Sequence, residues 1–469
     1  MSSRGATLAV LNTVSLMIVL DSTIVAVAIP AIQQDLGFSP AGVAWVINGY
    51  LVAFGGLLLL AGRLGDLVGA RRVFLAGLAL FTLASLLAGF AGTAELLIAS
   101  RFLQGAGGAF ASAVILGMIV RLYPSPGPQA RALGIFSFTQ AGGAAIGFVA
   151  GGVLTDLAGW PAIFLINVPI GVAAFLAGLR LLPAFDPAAV RGGVDVPGAL
   201  LITAGLSAGV YAIVDGVAPA GAVAVLLLIA FLVRQKYAPR PLVPLRLLRR
   251  RWLLAANGAV LLIVAAGLGF QFVNTLYLQK VMGYDALRTG LAFLPTPVVI
   301  GLVSLFAAAR LTARFGPRPV LLGGLLVEAA GLLALSQLPE SPSYPLHVLP
   351  ALAVLGAGFG VALPAVMMLS MAGTSDEDTG LVSGLNNTAQ QAGMALGLAV
   401  LAAASATRTS DQMSRGVTEA AALASGYSLA FLLAAGFVVA ALLVALMALR
   451  TVPARVDAVP GSRALRVSS

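Results

Sequence analysis

Apolar stretches of about twenty residues, the length that a helix needs to cross a bilayer, recur from one end of this 469-residue chain to the other. Only 9% of the residues are charged, against roughly 25% in a soluble domain, which is too few to cover a surface in water. The sequence therefore predicts an all-α membrane protein of about fourteen transmembrane helices. The expected spans are 7–29, 42–61, 73–91, 95–120, 131–153, 161–182, 196–214, 218–233, 254–276, 288–309, 319–337, 346–371, 380–403 and 427–449.

The formal charge of +10 comes from Lys and Arg residues that lie mostly in alternate loops between the apolar stretches. Cytoplasmic loops of membrane proteins carry such an excess of Lys and Arg. We therefore predict a multi-pass protein of the inner membrane with both termini in the cytoplasm. The run RLLRRR at 246–251 is expected to contact anionic membrane lipid rather than nucleic acid, because it lies between two membrane spans.

Several chemical functions are excluded by what the sequence lacks. The chain has no Cys and a single His, His347, so a thiolate or poly-His metal site is ruled out. It contains no GxxxxGK[ST] motif for ATP, and no nucleophile with an obvious base. We expect a monomer with no cofactor, no metal and no enzymatic activity, so a membrane-embedded enzyme is the outside alternative.

Two sequence similarities within the chain indicate an internal repeat. GRLGDLVGARR at 62–72 aligns with ARLTARFGPRP at 309–319, and GIFSFTQAGGAAIG at 134–147 aligns with GLNNTAQQAGMALG at 384–397, at offsets of 247 and 250 residues. Parallel repeats of this kind are found in transporters. We predict a six-helix bundle at 1–183, two inserted helices with a basic linker at 184–252, a second six-helix bundle at 253–452 and a tail at 453–469.

The first predicted helix contains an acid in the stretch LDSTIVAVAIPAI at 20–32. Asp21 lies about 12 Å from the outer end of this helix at 1.5 Å per residue. A charge at that depth costs several kcal/mol unless it faces water or a partner, and such residues are functional by default. We interpret Asp21 as a proton carrier or cation site. The alternative is a structural acid that caps a neighbouring helix.

A basic residue occurs at a similar depth in the fourth predicted helix, in the stretch LIASRFLQGAGGA at 97–109. Arg101 lies about 9 Å from the outer end, and a buried guanidinium needs an acceptor. We therefore expect Arg101 to couple to Asp21, with snorkelling to the interface as the alternative.

Glycines mark two further stretches. In GRLGDLVGARR they permit a tight turn between helices, flanked by one acid and three arginines. In GGAAIGFVAGGVL at 142–154 they form a groove for close helix packing. The residues of interest are Gly62, Arg63, Gly65, Asp66, Gly69, Arg71 and Arg72 in the first stretch, and Gly143, Gly147, Gly151 and Gly152 in the second.

These four stretches resemble motifs of the fourteen-helix drug:proton antiporter branch of the major facilitator superfamily, along essentially the whole chain. The resemblance implies a proton-coupled exporter of hydrophobic or cationic small molecules such as drugs, working by alternating access. It also implies that 62–72 is a conformational latch, with a solvated loop as the alternative. Phe148 stands where the family usually has Pro. An exporter of a lipid or an endogenous metabolite is the second hypothesis.

Polar residues within the other predicted helices are candidates for the substrate cavity, with structural bonds between helices as the alternative. Asn386 with Gln390, and Gln271 with Asn274, are expected to pair along one helix face. Glu328 has no charge partner in its own helix, so it is either a second proton site or an acid kept neutral by burial. The cavity candidates are Tyr50, Gln104, Gln140, Gln271, Asn274, Asn386, Asn387 and Gln390.

Overall fold

A computed structural model describes residues 3–183, 195–239, 241–243, 245–248, 250–339, 342–372, 374 and 376–449. Within these ranges the regular structure is entirely helical, and fourteen helices are long and apolar enough to cross a membrane, which confirms the predicted number. They are α1 Arg4–Asp35, α2 Gly42–Val68, α3 Ala70–Gly89, α4 Ala94–Leu122, α5 Gly127–Ala158, α6 Ala162–Leu181, α7 Val196–Val214, α8 Ala218–Tyr237, α9 Arg251–Val281, α10 Ala286–Phe315, α11 Pro317–Ser336, α12 Tyr344–Met371, α13 Val382–Ser414 and α14 Glu419–Ala448.

Several helices continue beyond the predicted spans. The clearest case is α13, which ends at Ser414 although its apolar stretch ends near 403. Arg408 and Asp411 lie in this extension, and the Arg408 Nε donates a hydrogen bond to Ser425 Oγ of α14 at 3.1 Å. Apolarity marks the part of a helix that contacts hydrocarbon, whereas the backbone hydrogen bonds continue into the polar layer. The predicted spans were therefore too short at such ends.

Two equivalent turns separate helices in the two parts of the chain. Gly69 joins α2 to α3 with φ of 98°, and Gly316 joins α10 to α11 with φ of 82°. A side chain with a Cβ rarely adopts such a backbone conformation, so the glycine is required in both turns. The two positions differ by 247 residues, the offset of the repeat.

Helix packing repeats in the same way. We call α1–α6 the first half and α9–α14 the second half. In the first half, Gly77 of α3 lies against Gly107 of α4, where a Cβ would overlap the facing backbone. In the second half, Gly324 of α11 lies against Gly358 of α12 in the same manner. Close approach at small residues is the usual basis of helix association in membranes.

Among the described residues, the main contacts between the halves are those of α1 with α9, α1 with α10, α2 with α13 and α5 with α10. Two hydrogen bonds join α1 to α9 where α1 ends. The Lys280 Nζ donates to Gln33 Oε1 at 2.6 Å, and the Gln279 Nε2 donates to the Val27 carbonyl at 2.9 Å. We call this side the opposite face, and the side where α1 begins the terminal face.

The domain boundaries drawn from the sequence stay predictions. Residues 184–194 at the start of the predicted insertion and the predicted tail 453–469 lie outside the described residues, as does Arg249 of the basic linker. In the described part of the insertion, α7 and α8 form a hairpin that packs against α2 and α13.

Candidate functional site

A charged cluster lies inside the first half. Asp21 of α1 and Arg101 of α4 have 0% and 1% of their side chains exposed, and the Arg101 Nη1 lies 2.6 Å from Asp21 Oδ2. The same Nη1 donates to Gln104 Oε1 at 2.6 Å, and the Arg101 Nε donates to the Val46 carbonyl of α2 at 2.8 Å. Arg101 is thus bonded inside the bundle instead of reaching the interface. A buried guanidinium is stable only with such partners.

The carboxylate of Asp21 accepts two further hydrogen bonds, both on Oδ1. The donors are Gln104 Nε2 at 2.7 Å and Asn167 Nδ2 of α6 at 2.8 Å. Gln104 Nε2 also donates to Ser85 Oγ of α3 at 2.8 Å. Five helices, α1, α2, α3, α4 and α6, therefore contribute to one network, in which a single carboxylate accepts bonds from three side chains.

Aromatic rings enclose the guanidinium. The Arg101 Cζ lies 4.5 Å from the ring centroid of Tyr50 and 5.6 Å from that of Phe164. A guanidinium within about 6 Å of a ring face gains cation–π stabilisation. Tyr50 and Gln104 were predicted to line the substrate cavity. They are buried members of this cluster, with 3% and 0% exposure, and their place in a substrate cavity stays a prediction.

Sequence reasoning missed Asn167, Ser85 and the Val46 carbonyl. Asn167 follows the apolar stretch that begins α6, and a lone amide in such a stretch is a signal that could have identified it. Ser85 gives no such signal, because its hydroxyl also bonds the Phe81 carbonyl in its own helix at 2.8 Å, as many helical serines do.

The predicted latch residues surround the turn between α2 and α3. Asp66 lies exposed in the last turn of α2, and among the described residues no ion pair reaches it. Arg71 instead donates through Nη2 to the Leu179 carbonyl at the end of α6, at 2.5 Å. Gly65 packs against Val114 of α4, whereas Gly62 faces open space, so only the former needs its small size for packing.

The glycines of α5 serve two helices. Gly143, Gly147 and Gly151 lie against α1, where added Cβ atoms would overlap Leu16, Thr23 and Ile24. Gly152 faces the other way, against the backbone of α10 at Ala286 and Leu287. The motif thus packs α5 within its half and also across to the other half.

Phe148, the departure from the family pattern, lies in the same contact between halves. Its ring stacks on that of Phe293 of α10, with centroids 4.9 Å apart and planes inclined by 6°. Next to it, the Leu287 amide donates to Asp156 Oδ2 at 2.9 Å. An aromatic pair therefore forms at the position where the family resemblance places a Pro.

The family model described as Major Facilitator Superfamily matches residues 11–398 of the chain. The chain belongs to this superfamily. The puromycin resistance protein pur8 of Streptomyces alboniger is 37% identical over 433 residues, which cover 89% of this chain and 85% of the relative. The cephamycin export protein CmcT of Amycolatopsis lactamdurans is 36% identical over 422 residues, covering 87% and 86%.

Solved structures agree on the fold. A bacterial homolog of the human lysosomal transporter Spinster, in an inward-facing and occupied conformation, has a TM-score of 0.69 and covers 96% of this chain and 98% of its own. At 16% identity this likeness shows the fold alone. Together with the family match and the relatives, this makes the protein a multi-pass membrane transporter of small molecules with the major facilitator fold.

Among the described residues of the second half, apolar side chains stand where the first half has its charged pair. Equivalent glycine contacts show which positions of the two halves correspond. Gly147 contacts Leu20 in the first half, and Gly397 contacts Ala265 in the second, so the residue after Ala265, Ala266, corresponds to Asp21. Gly105 contacts Tyr50, and Gly356 contacts Thr296, so the residue four before Gly356, Leu352, corresponds to Arg101. Ala266 and Leu352 are both fully buried. The two halves thus share their packing but not their charges.

Glu328 stands apart from the cluster. Gly107 of the first half lies against the backbone nitrogen of Phe81. Its counterpart Gly358 lies against the backbone nitrogen of Glu328, so Glu328 corresponds in position to the buried Phe81. Its side chain is 1% exposed, and no described residue bonds its Oε2. Glu328 therefore lies in the second half, outside the charged cluster of Asp21 and Arg101, and its role as a second proton site stays a prediction.

The amides of the second half do not form the expected pairs along their helices. Asn386 donates to Ser370 Oγ of α12 at 2.7 Å instead of bonding Gln390. Gln271 Nε2 and both amide atoms of Asn274 are buried without described hydrogen-bond partners. Side chains three or four residues apart share a helix face, but this does not decide whether they bond each other or, as Asn386 does, a residue of a neighbouring helix.

The remaining cavity candidates lie in different places. Gln140 of α5 accepts a hydrogen bond from Ser15 Oγ of α1 at 2.7 Å, so it joins two helices of the first half. Asn387 is exposed. A cavity of about 540 Å³ lies at the opposite face between α1, α9, α13 and α14, and its lining includes Gln33 and Lys280 but none of the predicted cavity residues. The predicted residues therefore do not line this cavity, and their place in a substrate cavity stays a prediction.

Proposed function

We propose that this transporter exports hydrophobic or cationic small molecules in exchange for protons, by alternating access. The observation that carries the proposal is the buried Asp21–Arg101 pair inside one half. Two relatives, named for puromycin resistance and for cephamycin export, support outward transport of small antibiotic-like molecules. Without a coupling role, a buried pair with its desolvation cost would give little advantage over apolar residues such as Ala266 and Leu352.

Protonation of Asp21 changes the balance of this cluster. The charged carboxylate neutralises Arg101 and accepts bonds from α4 and α6. A proton on Asp21 would leave the guanidinium as an uncompensated buried charge and weaken the ties of α1 to both helices. Proton binding would thereby favour a different arrangement of the helices, which is what coupling requires. Glu328 is the second candidate acid.

The proposal is tested with inverted membrane vesicles and puromycin as the probe, because a relative is named for resistance to it. An imposed pH gradient, acidic inside, should drive puromycin uptake, and a protonophore should abolish it. The contrary result is puromycin uptake that is the same with and without the pH gradient in vesicles free of ATP. The proposal of proton exchange would then be wrong, and another ion would drive transport.

We also propose that the protein works as a monomer in the cytoplasmic membrane with both termini inside, which makes a prediction for reporter fusions. Fusions at Gly192, Arg249 and Ser468 should report the cytoplasm, because basic loops stay inside. Fusions at Gln34 and Gln412, and also at Glu340, should report the outside. Opposite signals at Arg249 and Ser468 would require an odd number of crossings between them.

We also propose that residues 62–72 act as a conformational latch between α2 and α3, which predicts a selective effect of Asp66→Asn on transport. Asp66 is exposed, so its substitution should leave folded protein in the membrane nearly unchanged. Its charge should matter only in the state where the latch is closed, so the transport rate should fall roughly tenfold, which corresponds to about 1.4 kcal/mol.

The matched control is Asp411→Asn, an exposed acid at the opposite face, which should transport at the wild-type rate. Vesicle uptake is compared with the amount of folded protein from fluorescence-detected size exclusion. An equal loss of uptake and folded protein in Asp66→Asn would mark Asp66 as structural.

A further inference from the structure

The inserted hairpin α7–α8 is attached to α2 at three depths, and the first attachment is at the opposite face. There the Trp45 Nε1 donates to Asp215 Oδ2, in the turn of the hairpin, at 3.0 Å. The ring of Tyr211 lies 6.5 Å from that of Trp45, centroid to centroid. The start of α2 is therefore bound to the tip of the hairpin by a polar and an aromatic contact.

Midway along α2, Gly56 lies directly against Thr203 of α7, where any Cβ would overlap the threonine. Towards the terminal face, an apolar cluster continues the contact. Leu60 of α2 packs there with Ala199 and Phe231 of the hairpin. The hairpin thus follows α2 across the whole thickness of the bundle, with the close approach that small residues allow.

A buried acid fixes the base of the hairpin. Asp195, 4% exposed, accepts hydrogen bonds from Gly198 N at 3.1 Å, Arg234 Nε at 2.9 Å and Gln235 Nε2 at 2.9 Å. Gln235 in turn accepts the Val243 amide at 3.0 Å on Oε1. Val243 belongs to the apolar cluster beside Leu60, so the chain leaving α8 is held against α2 as well.

The contact of the hairpin with α13 has a different character. A Cβ on Gly209 would meet Leu396 at an ordinary van der Waals distance of 4.0 Å, and Leu385 packs beside the apolar cluster. Within the described ranges no hydrogen bond joins the hairpin to α13. Here α2 and α13 also touch directly, since Gly55 lies against Gln391. The hairpin therefore lies over the line where the two halves meet.

We propose that the inserted hairpin moves as one body with the first half, carried on α2, and slides over α13 to cover the line between the halves. Hydrogen bonds and closely packed small residues fix the hairpin to α2, whereas its contacts with α13 are apolar and without hydrogen bonds, so the hairpin can shift along α13 at low energetic cost. This inference rests on the alternating access of the proposed function. In this role, the hairpin would close one route by which lipid could enter between the halves.

Two covalent staples test the proposal in a chain that contains no natural Cys. Staple one joins the hairpin to α2 in the variant Trp45→Cys with Tyr211→Cys. Staple two joins it to α13 in Gly209→Cys with Leu396→Cys. Each purified variant is reconstituted, treated with a homobifunctional methanethiosulfonate reagent, and assayed for puromycin uptake before and after reduction.

Staple one should leave uptake within about twofold of the untreated variant, whereas staple two should lower it more than about tenfold, with recovery on reduction. Equal inhibition by both staples, or inhibition by staple one alone, overturns the proposal. Single-Cys variants control for the reagent. If Trp45→Cys prevents folding, Leu60→Cys with Ala199→Cys provides the same attachment to α2 without adding a side chain to a glycine. Proton-driven uptake in the untreated variants shows that the proposed function holds, so a failed staple result then counts only against the movement of the hairpin.

Discussion

Asp21→Asn should abolish proton-driven uptake of puromycin into inverted vesicles while leaving exchange down a substrate gradient measurable. The amide cannot take up a proton, but it keeps an oxygen to accept the bonds of Gln104 and Asn167. It also resembles the protonated acid that the proposed cycle visits, so the protein should fold. Loss of a coupling group removes the link between proton binding and reorientation, without removing the binding of substrate.

The matched control is Asp35→Asn, which lies on the same helix. Asp35 is exposed at the end of α1 and accepts a hydrogen bond from Trp160 Nε1 at 2.7 Å. This variant should keep proton-driven uptake. Uptake at the wild-type rate in Asp21→Asn would refute the role of Asp21, and Glu328→Gln would then be tested in the same assay.

Arg101→Leu should have the largest effect on stability. It removes the partner of a carboxylate that is 0% exposed, and breaking a buried pair in this way costs about 3–5 kcal/mol. The variant should give less folded protein and a lower midpoint of thermal unfolding in detergent. Adding Asp21→Asn should restore much of the loss, because the double variant buries no unpaired charge and keeps the acceptor for Gln104.

The second half supplies the precedent for this rescue, since Leu352 is buried at the position that corresponds to Arg101. The double variant should nevertheless remain inactive in proton-driven uptake. If it is no more stable than Arg101→Leu alone, the buried charge is not what destabilises the single variant, and the lost contact of the Arg101 guanidinium with the Tyr50 ring is the cause.

The number of helices and the depth of the charged residues could be predicted from the sequence, because both depend only on distance along a helix. A stretch of about 20 apolar residues fixes a crossing. Asp21 and Arg101 were expected at similar depths, and they are in contact. Their roles in proton coupling stay predictions.

The direction in which each side chain points could not be predicted in the same way. Gln104 lies one turn from Arg101, and the amide pattern alone could not tell whether it faces a cavity or the Asp21 carboxylate. The same ambiguity applies to Asn386, which bonds Ser370 on another helix. Facing depends on how helices are rotated against each other, and this is set by contacts far apart in sequence, such as Gly147 against Leu20.

The enclosure of both cluster charges within one half has an electrical consequence. Asp21 and Arg101 sum to zero, so a reorientation of the first half with the pair intact moves no net charge through the membrane potential. With a proton on Asp21, the same movement carries the positive charge of Arg101, worth up to about 2.3 kcal/mol per 100 mV for a full crossing. Under the proposed function, only the proton-loaded step should respond to an imposed potassium diffusion potential. Asp21→Asn would hold the protein in the form whose exchange rate depends on voltage.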